Sequence, residues 1–207
     1  MIALLLSLLV AAGPSPDRRP PVDQCASDSS FVEFRGALRE AIARRDRDRL
    51  LAMLADDILV DFGGGAGRDD FVRAWELDRP QASRVWDELG TVLALGCARE
   101  DDGSLWAPSL YRQLGDQEDP FTAMLAVRPG AVLRAAPDPA SPAVATLDWD
   151  ILTLQPDDGA DDWLPVTLSD GRAGFVARGD ARGAVDYRAG FQKVAGRWRM
   201  IVFVAGD

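Results

Sequence analysis

The chain is expected to be α+β, with its helices gathered in the N-terminal half and its strands in the C-terminal half. Three observations predict this. Apolar residues recur at helical spacing through most of the stretch from Phe31 to Leu95. From Ala123 onward they come as short β-branched runs separated by Pro, Gly and Asp, the pattern of a small, tightly turned β-barrel. After Arg182 two further runs flank Val194-Ala195-Gly196, the pattern of a β-hairpin. The expected division is a signal peptide over 1–12, a flexible leader over 13–30, a mostly helical domain with one short strand over 31–115, a β-barrel over 123–182 and a hairpin over 183–207.

Composition removes several classes of function. The 207 residues carry a net charge of −10, which argues against nucleic acid as a partner, because phosphate contacts need clustered Lys and Arg. There is no histidine. Ser-His-Asp and Cys-His catalysis, His-ligated zinc and the usual neutral-pH proton shuttle are therefore absent. An enzyme built on this chain would have to use carboxylates, Tyr, Lys or thiols. No catalytic residue, metal site or cofactor is expected.

Taken in order, Ile2 to Val10 is an apolar run followed by Ala11-Ala12, which reads as an export signal. It is too short to span a bilayer, which takes roughly 20 apolar residues. Export implies a periplasmic or secreted protein with no membrane insertion after cleavage. The leader, rich in Pro, Asp and Ser, contains Cys25, and the one other cysteine is Cys97. In an oxidising compartment the two either form a bridge or remain as two unpaired thiols, and spacing alone leaves both open.

Phe31 to Ala43 is an amphipathic helix with Phe31, Phe34, Leu38, Ala41 and Ile42 on one stripe, Arg35 facing away, and Ser29 or Ser30 as the N-cap. A second helix runs from Arg47 to Ala55, capped by Asp46, and Ile58 to Phe62 reads as a strand. Gly63-Gly64-Gly65-Ala66-Gly67 follows. It lacks the Gly-Lys-Ser/Thr ending of a phosphate loop and reads as a tight turn into a helix over Asp69 to Leu77, with anion binding near Arg68 as the other reading. Another helix, Arg84 to Leu95, buries Val85, Trp86, Leu89, Val92 and Leu93 and stops at Gly96. Leu105 to Tyr111 is an aromatic connector broken at Pro108; packed, it is structure, and exposed, Trp106 and Tyr111 are a binding patch. An acidic linker over Gly115 to Pro120 closes this part.

In the β-rich part, Leu133-Arg134-Ala135-Ala136-Pro137, Trp163-Leu164-Pro165-Val166 and Gly171-Arg172-Ala173-Gly174-Phe175-Val176 follow one another with strands at Val144 and Ile151 between them. This order resembles a bacterial SH3-like (SH3b) domain, a module of exported and wall-associated proteins, over about 55 residues. The resemblance implies an SH3-like barrel and, in some relatives, recognition of wall peptides. Pro165 stands where that family commonly has Lys and Phe175 where it has Tyr, so a groove using those polar groups is lost. Trp163 and Phe175 are expected to fill the small core, and Arg134 to run along the rim to a carboxylate or turn carbonyl. Otherwise Trp149, Trp163, Phe175 and Arg134 form a ligand-binding platform. Asp148, Asp150, Asp157, Asp158, Asp161 and Asp162 give the module an acidic edge that favours a basic or neutral partner.

The Gly196-Arg197-Trp198-Arg199-Met200 pattern of the hairpin, together with the helix-helix-strand opening, faintly resembles ketosteroid-isomerase-like α+β folds. That likeness implies a barrel inserted into a discontinuous α+β domain. The expected function is an exported, non-enzymatic protein binding a peptidoglycan peptide or an envelope protein. The alternative is a carboxylate-based enzyme or small-molecule binder in the N-terminal part, with Asp61 and either Tyr187 or Trp198 lining its pocket. In a third reading the connector and hairpin form an oligomer interface.

Overall fold

The computed structural model describes residues 18–116, 118–156 and 162–206, so the expected signal peptide over 1–12, the leader residues 13–17, and Asp157, Asp158 and Asp161 lie outside it. Helix α1 (Ser29–Arg44) is capped by Asp28, whose carboxylate accepts from the Phe31 amide at 3.1 Å. The expected caps Ser29 and Ser30 are one and two residues too late; they form the helix's first residues. Helix α2 (Arg47–Ala52) starts at Asp46, which accepts from the Arg49 amide at 3.0 Å. It ends earlier than its leucines suggest, because Leu54–Leu59 leaves it as strand β1. Helices α3 (Arg68–Ala74) and α4 (Val85–Ala94) complete the helical layer.

The C-terminal hairpin, β11 (Arg188–Val194) and β12 (Arg197–Val204), turns through Ala195 and Gly196, both at positive φ. Two such residues make the tight turn whose twist suits paired strands. This hairpin sits inside the N-terminal sheet. β12 pairs in parallel with β1, and β11 pairs with β3 (Leu105–Ala107), which pairs with β2 (Ala98–Arg99), giving the order β1-β12-β11-β3-β2. The N-terminal part is therefore a five-stranded α+β domain, where a mostly helical domain with one strand was expected. Its core runs through both chain segments: Phe31 lies 5.2 Å from Phe191 and 5.1 Å from Trp198, ring centre to ring centre.

Between β3 and β11 the chain makes a seven-stranded antiparallel sheet: β4 (Ala123–Ala126), β5 (Ala131–Arg134), β6 (Ala143–Leu147), β7 (Ile151–Leu154), β8 (Trp163–Leu168), β9 (Ala173–Ala177) and β10 (Ala181–Gly183). Its order is β10-β4-β7-β8-β9-β5-β6, so β10 and β6 are edges and no closed barrel forms among the described residues. First and last strands pair with each other, Gly183 opposite Met124, so this module enters and leaves through one point of its host. A small core of Leu133, Leu147, Leu152, Leu164, Val166 and Val176 holds it.

Candidate functional site

The four residues of the expected platform separate into two places. Strand alternation turns Leu164, Val166 and Leu168 of β8 into the module core, which leaves Trp163 and Pro165 on the outer face. Pro165 pairs with Phe175, and Phe175 with Arg134, so Trp163, Phe175 and Arg134 share that face and are half-buried. The expectation that Trp163 and Phe175 fill the core is corrected by this period of two. Arg134 donates to the Ser141 carbonyl at 2.7 Å, pinning the β5–β6 turn. Trp149 lies elsewhere. At φ 60°, it packs beside Leu110, Leu125, Ile151 and Ala184 at the seam between module and host.

Cys25 and Cys97 form a disulfide with Cα atoms 5.7 Å apart. It anchors the stretch expected as flexible leader, whose described residues form a strap across both units. On the module side the Arg19 amide donates to the Trp149 carbonyl at 2.7 Å and Arg18 pairs with Asp148. In the middle the Val22 amide reaches Ser109 Oγ at 3.2 Å. On the host side Val22 and Gln24 pair with Cys97 at 2.9 and 2.8 Å. Gly96 makes room for this crossing: at φ 81° a Cβ would stand 2.5 Å from the Val22 carbonyl oxygen. Gly96→Ala is therefore expected to weaken the strap, read as faster hydrogen exchange at the Gln24 and Cys97 amides.

Arg35, expected to face solvent from α1, is buried because Asp23 of the strap receives both its terminal nitrogens, at 2.9 and 2.7 Å. This donated fork holds the Asp23 carboxyl below the ordinary 3.8. A carboxylate with a depressed folded pKa contributes stability above its unfolded value and loses it as pH falls through the folded one. The strap is thus expected to loosen below pH 3.8, and Asp23→Asn to flatten that acid limb. Urea midpoints taken between about pH 6 and pH 2 check this. Asp23 lies beside the two sulfurs, but these are bonded to each other and its carboxylate is held by Arg35, so the trio is a structural knot.

Asp61, Tyr187 and Trp198 do not meet in one pocket. Asp61 is exposed and accepts from the Gly65 amide at 2.9 Å, closing the glycine-rich turn as expected of a tight turn. Tyr187 packs against Trp75 and Phe203, at 4.8 and 5.2 Å between ring centres. Trp198 donates to Ser30 Oγ at 3.0 Å. Each is occupied by structure.

A different constellation does surround a cavity of about 210 Å³: Phe62, Trp106, Pro108, Tyr111, Arg112 and Arg188. Trp106 lies on the face of β11, where Gly190 pairs with it and a Cβ would come within 3.1 Å of its ring. Phe62, carried beyond β1 at the start of the glycine-rich turn, is 52% exposed. Trp106 and Tyr111 were singled out in the sequence as one of two readings of the connector. Phe62, Arg112 and Arg188 were not, since Arg188 arrives with a hairpin distant in the chain and no local pattern signals the meeting. Scans against protein-family models, curated proteins and solved structures find no match to this chain.

Proposed function

We propose that the protein is an exported, non-enzymatic binding protein of the cell envelope, with an SH3-like module inserted in its α+β host, and that it takes a peptide or cell-wall component in the aromatic cavity. The observation that carries this reading is the cavity, where apolar rings and two guanidinium groups meet at the junction of connector and hairpin. Such a mixture of apolar walls with few convergent polar groups is the usual make-up of a binding pocket. The disulfide supports an oxidising compartment, periplasmic or secreted. Among the described residues no helix is long and apolar enough to cross a membrane.

The experiment is retention of the purified chain on peptidoglycan. Binding at low and high salt is expected, with Trp106→Ala weakening it by roughly tenfold or more, the loss typical of a buried aromatic anchor. Trp163→Ala on the module face serves as the comparison and is expected to keep binding. No retention at either salt concentration sinks the wall-binding reading. Loss in Trp163→Ala alone would move the site to the module face.

A further inference from the structure

In a protein of net charge −10, both charged residues lining the aromatic cavity are arginines. Their guanidinium carbons stand 5.8 Å (Arg112) and 5.1 Å (Arg188) from the centre of the Tyr111 ring. Arg188 is buried and donates to the Gly206 carbonyl at 2.6 Å, so it is a fixed part of the wall. Arg112 differs. Its side chain is 52% exposed, and its ion pair with Glu100 uses Nε. Among the described residues nothing accepts from its two terminal nitrogens, which leaves that edge open to a planar, two-oxygen acceptor.

Size decides what accompanies that acceptor. At about 210 Å³ the cavity lies below the roughly 300–1,000 Å³ of pockets that enclose whole drug-sized ligands, and it suits one residue-sized apolar group. Resting on the reading of this cavity as the binding site, we infer that it recognises the C-terminal residue of a peptide. The apolar side chain lies among Trp106, Pro108 and Tyr111, and the free carboxylate is held by Arg112. An internal residue with an apolar side chain brings no carboxylate to this position, and a basic segment is repelled by both arginines. The preference is opposite to the basic or neutral partner that the acidic edge of the module suggests.

The test is calorimetric titration of the purified chain with N-acetyl-Ala-Ala-Phe, N-acetyl-Ala-Ala-Leu and N-acetyl-Ala-Ala-Ala, each as free acid and as C-terminal amide, repeated on Arg112→Gln. At least one free acid is expected to bind about tenfold or more tightly than its amide, the scale of one charge-assisted hydrogen-bonded pair. Arg112→Gln is expected to erase that difference by weakening the free acid to the level of its amide. Equal binding of acid and amide, no binding of any free acid, or a difference that survives Arg112→Gln each overturns the inference. Peptidoglycan retention lost in Trp106→Ala judges the underlying reading separately. Retention without an acid–amide difference keeps the cavity as the site and removes the C-terminal residue as its ligand.

Discussion

Replacing Cys25 and Cys97 together by serine is expected to lower the unfolding free energy by about 4 kcal/mol, read from urea denaturation. The bond spans 72 residues of sequence, and closing a loop of that length restricts the unfolded chain by about this amount in the loop-entropy model. Both sulfurs are buried, so the substituted hydroxyls enter an interior that offers them few partners. The loss is not confined to the host. The strap touches the module at Trp149 and Asp148, so the same variant is expected to speed exchange at the Arg19 amide as well as at Gln24 and Cys97. A loss below about 1 kcal/mol would mean that backbone pairing, at its usual worth, holds the strap unaided.

Phe191→Ala is expected to cost about 3–5 kcal/mol, whereas Phe175→Ala costs well under half of that. Phe191 is fully buried on the central strand β11 and meets Phe31 and Phe34 of α1 at 5.2 and 5.9 Å. Its removal leaves a cavity where the two ends of the chain join. Phe175 sits half-buried on the outer face of β9 and leaves less behind. Thermal or urea denaturation of both variants checks the contrast. A reversed order would place the structural centre of the molecule in the inserted module.

Much of the local structure was legible in the residues. Asp46 before Arg47 and the leucines after it announce α2, and the Val85–Leu93 stripe announces α4. Gly196 after Ala195 announces the hairpin turn. Other features were illegible for physical reasons. β1 shares Leu54 with what reads as a helical run, and a parallel partner 146 positions away in β12 decides in favour of strand. Arg35 reads as a solvated residue until the strap brings Asp23 to it. Trp163 and Phe175 read as core residues because large rings usually are, while the pleat hands that role to Leu164, Val166 and Val176.

The sequence by itself determined helices α1, α2 and α4, the absence of histidine chemistry and the presence of a β-rich stretch from Ala123 onward. These depend on periodicity, turn residues and composition, which act over a few neighbours. Only the tertiary structure decided that the terminal hairpin completes the N-terminal sheet, that the leader is a disulfide-anchored strap, and that Phe62, Trp106, Arg112 and Arg188 surround one cavity. Those facts rest on pairings between residues far apart in the chain. Such pairings form because burying Phe31, Phe191 and Trp198 together removes more apolar surface from water than either end of the chain can bury alone.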